Sequence, residues 1–255
     1  MLVKFILYII QEILKTIFSI KRNGMKRSEI NFEIKKAEKL LENMSIKLPP
    51  FGYWNKEEMR NAKNNIDCAE IFDCSLGWDI CDFGKGDFTN YGLTLFTLRN
   101  GLICDSNNES SKTYAEKLLF SNEKQITMMH FHYEKVEDII NRGGGNLVIQ
   151  MYNSMSDETL DKNSPVVISC DGIKKVFQPG EEIILKRGES ITMPTGLYHS
   201  FWAEEGYEPC LIQEVSKLNN DVIDNRFLEK AERFPQINED ETPYRLLVSD
   251  YNNIG

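Results

Sequence analysis

Residues 124–145 read KQITMMHFHYEKVEDIINRGGG, and the reading of this stretch decides the fold. His130 and His132 stand one residue apart. On a β-strand, residues i and i+2 share a face, so both imidazoles project to one side and can reach one ion. Glu137 follows His132 by five residues, the wrong parity for a single uninterrupted strand. The chain is therefore expected to turn or bulge between Tyr133 and Val136 before the carboxylate joins the histidines. The run Asn141-Arg142-Gly143-Gly144-Gly145 is expected to close the segment in a sharp turn. The chain has three histidines, and the third, His199, follows Pro194-Thr195-Gly196. Pro and Gly there predict a tight turn that aims His199 inward from another strand. Three neutral imidazoles and one carboxylate suit a first-row divalent ion, Mn, Fe, Co, Ni or Zn, with positions left open for water or substrate.

Outward from this stretch the texture is that of short strands. Gly92–Leu98, Gln125–His132, Asn146–Tyr152, Val166–Cys170, Lys174–Gln178, Glu182–Leu185, Ser190–Met193 and Cys210–Val215 are rich in Ile, Val, Phe, Tyr and Thr. Turn signals such as Asp171-Gly172 and Pro179-Gly180 separate them, which predicts a mainly β protein, a barrel or a sandwich. Upstream the period is helical. Over Ser28–Asn43, Ile30, Ile34, Ala37, Leu40 and Leu41 share one face, and Ser28 is the expected N-cap. Asn55–Ala62 reads as a short helix capped by Asn55, with Glu57 and Glu58 in its first turn. Beyond Asn225, Phe227–Arg233 reads as a short helix and Arg245–Val248 as a final strand.

At 255 residues the chain is long enough to bury a substantial core, and its net charge of −9 argues against a nucleic-acid partner. Its six cysteines include no C-x-x-C pair and read as reduced thiols of a cytoplasmic protein. Residues 1–24 begin MLVKFILYIIQEILKTIFSI, strongly apolar but interrupted by Lys4, Glu12 and Lys15. A spanning helix needs about 20 nearly uninterrupted apolar residues, and no clear small-residue cleavage site marks a signal peptide. Three readings compete: an interfacial helix with a weak membrane interaction, a helix docked on the body, or an extension upstream of a working start at Met25. The soluble-looking opening MKRSEINFEIKKAEKLL favours the last, with 25–255 as one domain.

The block His130-x-His132-(four)-Glu137-(six)-Gly144 resembles the first cupin motif, and Gly188-(five)-Pro194-x-Gly196-(two)-His199 resembles the second. Lys124 stands where the first motif usually opens with Gly, and Ala203 where the second usually closes with Asn. Further blocks resemble the D-lyxose isomerase family of cupins over about Met25 to Tyr251: Tyr114-Ala115-Glu116-Lys117-Leu118-Leu119-Phe120, the segment His130 to Gly145 with Lys135 and Asp138, Glu214-Val215-Ser216, and Asp224-Asn225-Arg226-Phe227. The resemblance implies a cupin jelly-roll barrel with N-terminal helices and a short C-terminal helical segment. It also implies a homodimer, a divalent metal (Mn²⁺ before Co²⁺, Zn²⁺ or Fe²⁺), and interconversion of D-lyxose and D-xylulose, often with D-mannose and D-fructose. Under it Lys117 takes an active-site role.

Aldose–ketose isomerisation needs a Lewis acid, a base that moves a proton between C1 and C2, and a cationic donor at the developing enediolate. Lys135, inside the ligand block and of the same parity as Glu137, suits the donor; its alternative is a solvated lysine. Glu214 is the expected proton shuttle, on a strand read as the hairpin partner of the one carrying His199; its alternative is a solvent-facing carboxylate. Asp224 and Arg226 are candidates for binding sugar hydroxyls, or for a salt-bridged turn. Tyr198, Phe201 and Trp202 line a pocket or pack the core. Two other functions compete: an iron-dependent cupin dioxygenase with the same ligands, and a non-catalytic, metal-stabilised sugar-binding cupin.

Overall fold

The structure, a computed structural model, describes residues 24–102, 111–220, 223–232 and 235–254. The expectations for residues 1–23 and the thiol of Cys104 lie outside the described residues. The other five cysteines stand outside any disulfide.

A two-residue strand, β1 (Met25–Lys26), leads into helix α1 (Arg27–Asn43). Ile30, Ile34, Ala37 and Leu41 recur at helical spacing and are buried. Ser28 is not its cap. The helix starts one residue earlier, and the backbone N–H and hydroxyl of Ser28 donate to Asp240 at 2.9 and 2.8 Å. A carboxylate distant in sequence thus satisfies the first turn. Beside it the fully buried Arg27 donates to both Glu239 and Asp250 and clasps the C-terminal segment to α1. Arg27→Met is expected to cost roughly 2–3 kcal/mol, less than a fully buried pair because Glu239 is more than half exposed. Arg27 holds the Glu239 carboxyl below its usual range. Its contribution is therefore present at neutral pH and fades as pH falls through that lowered value. Urea midpoints of the two proteins should converge in acid.

Helix α2 (Lys56–Lys63) is capped as its sequence predicts: Asn55 Oδ1 accepts from the N–H groups of Glu57 and Glu58 at 2.9 and 3.0 Å. Helix α3 (Ala69–Asp73) then leads to the strands. These are β2 (Gly77–Cys81), β3 (Leu93–Arg99), β4 (Tyr114–Ser121), β5 (Thr127–His132), β6 (Glu137–Gly144), β7 (Leu147–Ser154), β8 (Leu160–Asp161) and β9 (Val166–Cys170). After them come β10 (Ile173–Phe177), β11 (Glu182–Leu185), β12 (Ser190–Met193), β13 (Leu197–Ala203), β14 (Cys210–Lys217), β15 (Asn225–Phe227) and β16 (Ile237–Asn238).

One sheet has the order β10-β9-β12-β6-β14-β4-β3-β2, the other β11-β7-β13-β5-β15 with β8 beside β7. The inner faces enclose one apolar core that includes Ile139, Leu147, Ile149, Ile191, Phe201 and Ile212. Helix α1 covers the outside of the larger sheet, where Ile30, Ile34 and Leu41 meet Trp78, Phe96 and Leu211. This is the expected cupin-type barrel with N-terminal helices. Three local expectations change. The stretch expected as a helix from Phe227 is not helical over its described residues, 227–232; Phe227 ends β15, which pairs with β5, and Arg233 lies outside the described residues. Arg245–Val248 is not a strand; Leu247 makes a single bridge to Trp78, and the C-terminal helical segment is a 3₁₀ turn over Val248–Asn253. The glycine run is not a sharp turn, since β6 continues through Gly144 with a bulge against β14. A Cβ on Gly144 would lie 2.0 Å from the Pro209 carbonyl oxygen, so glycine permits this close strand approach.

Lys124, in the place of the usual motif glycine, has φ +57°. An L-residue pays a steric cost in that region that glycine avoids. Lys124→Gly is expected to stabilise the protein by about 0.5–1 kcal/mol, read as a raised urea midpoint.

Candidate active site

The smaller sheet supplies the histidines. Alternation along β5 turns His130 and His132 to the inner face, and His199 on neighbouring β13 lies directly opposite His130. The turn Pro194–Leu197 aims it: Gly196 has φ +72°, and its N–H donates to the His132 carbonyl at 2.9 Å. One nitrogen from each of the three buried rings lies within 4.8 Å of the others. His130 Nδ1 donates to the Met128 carbonyl at 2.7 Å, and His199 Nδ1 to the Leu197 carbonyl at 3.0 Å. A carbonyl only accepts, so in the neutral form of either ring the proton sits on Nδ1 and Nε2 keeps its lone pair. Burial, then the adjacent His199 and His132, push the His130 imidazolium well below its usual range, which leaves the neutral, ligating form.

The larger sheet supplies the carboxylates. Residues 133–136 carry the chain from one sheet to the other, which resolves the parity problem of Glu137: it opens β6 across the barrel from the histidines. Its Oε1 lies 3.1 Å from His199 Nε2 and 3.4 Å from His132 Nε2. Burial opposes its ionisation, yet the adjacent Lys135 ammonium holds the Glu137 carboxyl well below the usual carboxylate range. His199 Nε2 has no hydrogen-bond partner although it faces that oxygen. With the ring neutral, a lone pair meets a carboxylate there with no hydrogen between, an arrangement that a cation relieves. The donor set of His130, His132, His199 and Glu137 thus fits a divalent metal on its own chemistry.

Lys135, on the crossing, is 97 % buried. Its ammonium lies 2.8 Å from Glu137 Oε2 and donates to Glu214 Oε1 at 2.9 Å. Lys117 on β4 lies opposite Glu214 on β14, with its ammonium 3.4 Å from the same Glu214 oxygen. Glu214 reaches this position from the larger sheet. It is not a hairpin neighbour of His199, because β13 and β14 belong to different sheets. A buried cavity of about 60 Å³ brings together the three histidines, Glu137, Lys135, Lys117 and Glu214.

Two expected residues lie elsewhere. Arg226 points to the outer face, since alternation on β15 turns Asn225 and Phe227 inward. Its Nε donates to Glu158 at 2.6 Å. Asp224 stands behind His132: its Oδ1 accepts from the Glu134 N–H at 2.7 Å, and its Oδ2 faces His132 Nδ1 at 3.5 Å. There it backs a candidate ligand instead of lining the cavity. Of the aromatics, Phe201 lines the cavity, while the Tyr198 hydroxyl donates to the Glu158 carbonyl. Sequence reading missed Asn219, which accepts from the Lys117 ammonium at 2.5 Å, and the cavity-lining Asn225 and Phe227. Reading 225–227 as a strand would have shown the last two, because period 2 places them on one face.

The D-lyxose isomerase family model matches residues 25–251. A D-lyxose/D-mannose isomerase of Escherichia coli O157:H7 is 43% identical over 228 residues, covering 89% of this chain and 98% of that protein. One of Serratia proteamaculans is 41% identical over 227 residues, covering 89% and 98%. Among solved structures, a mutant L-ribose isomerase of Acinetobacter sp. DL28 in complex with L-ribose superposes with TM-score 0.55 at 16% identity, over 86% of this chain and 100% of that one. That of Cellulomonas parahominis with L-ribose gives 0.54 at 15%, over 86% and 98%. At such identities these two speak for the shared barrel alone. The family match and the two relatives spanning nearly their full length establish that this chain belongs to the D-lyxose isomerase family.

Proposed function

We propose that the protein is a metal-dependent aldose–ketose isomerase that interconverts D-lyxose and D-xylulose, and D-mannose and D-fructose. The observation that carries this reading is the buried Glu214 carboxylate, bracketed by Lys135 and Lys117 and facing three imidazoles across the cavity. The two relatives named for both sugars support the substrate choice.

In the open-chain aldose, C1 carries the carbonyl and C2 a hydroxyl. The reaction moves one proton from C2 to C1 and another from O2 to O1, and the carbonyl ends at C2. Glu214 takes the C2 proton, which leaves an enediolate, and returns it to C1. The Lys135 ammonium spans Glu214 and Glu137 and supports the developing negative charge while a proton passes between the two oxygens. Lys117, held by Asn219, keeps the carboxylate aimed into the cavity. Burial of all three groups excludes bulk water from the enediolate. A divalent ion held by His130, His132, Glu137 and His199 supplies Lewis-acid polarisation of the substrate carbonyl. Mn²⁺ is our first assignment, with Co²⁺, Zn²⁺ and Fe²⁺ suited to the same donors. Asp224 and Arg226 act in this reading from outside the cavity, as supports of His132 and of β15. A homodimer working in the cytoplasm completes the proposal; the described cysteines, outside any disulfide, fit a reducing compartment.

Ketose formation from D-lyxose without oxygen uptake is the expected result with metal-loaded protein. Oxygen consumption with an oxidised product would instead favour the dioxygenase, and sugar binding without turnover the silent cupin.

A further inference from the structure

A bound sugar carries more hydroxyls than the reaction uses. Those beyond C2 need partners in a buried cavity, because a desolvated hydroxyl left unpaired is costly. Much of the remaining lining is apolar: Cys81, Phe83, Leu93, Leu95, Leu119 and Phe201. Two further polar side chains line it, and each has a solvent-shielded oxygen without a hydrogen-bond partner among the described residues, Asn225 Oδ1 and Thr127 Oγ1. They stand at different levels. Thr127 precedes His130 across an irregularity in the β5–β13 pairing and shares the level of Phe201, two residues along β13 from His199 and so roughly 7 Å away along the strand. Asn225 is directly opposite His132 in the β5–β15 ladder and shares its face. Phe227, opposite His130, holds its ring 5.4 Å from that imidazole and 5.9 Å from Phe83. On the outside of the same short strand, the Arg226–Glu158 pair fixes β15 and with it both inward side chains.

We propose that Asn225 is a substrate-binding residue whose amide hydrogen-bonds a sugar hydroxyl beyond C2, with the Phe227 ring against the sugar's C–H face. The proposal rests on the isomerase reading and adds to it a determinant of which aldose fits. A site built to hydrogen-bond a hydroxyl rejects the analogue that lacks it. β15 then selects the sugar while β14 and the crossing carry out the chemistry.

The test uses metal-loaded wild type and Asn225→Ala. It measures kcat/KM on D-lyxose and on its 3-, 4- and 5-deoxy analogues, together with calorimetric affinity for D-arabinitol, the polyol given by reduction of lyxose. Asn225→Ala should keep its metal and lose about 10–100-fold in kcat/KM on D-lyxose, mostly through KM. It should lose D-arabinitol affinity by a similar factor. One deoxy analogue should cost the wild type a matching factor and the variant nothing further. Sugar kinetics and polyol affinity within twofold of wild type would overturn the proposal and leave the isomerase reading intact. So would an equal loss on D-lyxose and on every deoxy analogue, which is the signature of a packing role. If the wild type binds D-arabinitol but forms no ketose, the isomerase reading falls, and the polyol comparison alone decides for or against Asn225. Neither binding nor turnover by the wild type would overturn both.

Discussion

Glu214→Gln is expected to lower kcat for aldose–ketose conversion by about 10²–10⁴-fold, the range contributed by a positioned general base. Metal content and thermal midpoint should stay close to wild type. The two side chains have nearly the same shape, and the amide still accepts from Lys135 through the oxygen that now lies 2.9 Å from it. The amide cannot take a proton from C2. Glu214 is not one of the four donors, and Gln keeps the contact to the Lys135 ammonium that also meets Glu137, so the donor set is untouched. Kinetics beside metal analysis checks this: kcat within threefold of wild type would remove Glu214 from the role of base. Lys135→Ala should also retain metal and lose most turnover, since it removes the ammonium that links Glu214 to Glu137.

His199→Ala is expected to lose metal and activity together, with turnover falling to background. The substitution removes the Nε2 that faces Glu137 at 3.1 Å and lacks any other partner. It leaves two imidazoles and one carboxylate, and it opens space in the barrel where the ring was 99 % buried. Removing one donor of four weakens a first-row ion severely, because each donor also fixes the geometry of the others. Metal analysis after dialysis, beside the conversion rate, checks the result. A variant that retains one equivalent of metal and near-normal turnover would exclude His199 from the donor set.

The contrast between these variants follows the architecture, and it bears on what the sequence made legible. The histidine wall could be read because its information is local: an i, i+2 pair on one strand, a Pro-Gly turn before the third ring, and a parity break that required a crossing before Glu137. Lys135 was legible for the same reason, as it lies on that crossing. Glu214 does reach the cavity, but through other neighbours than its place in the chain suggests. Consecutive strands often pair, yet β13 and β14 part to opposite sheets, and the partners that hold Glu214 are Lys117 and Lys135. The shared inward face of Asn225 and Phe227 was not legible because a three-residue strand carries too little period to separate it from a helix start. Ser28 misled in another way: its capping role went to Asp240, more than two hundred residues away, which no local rule reveals.

Conversion of D-lyxose against bound metal tests the central claim most directly. Protein stripped by chelator is titrated with Mn²⁺ while bound metal and D-xylulose are measured together. The account predicts no ketose from the stripped protein, and a rate that rises in proportion to bound metal and levels off at one ion per chain. Equal ketose formation by the stripped protein, or none from D-lyxose or D-mannose at full occupancy with Mn²⁺, Co²⁺, Zn²⁺ or Fe²⁺, would contradict it.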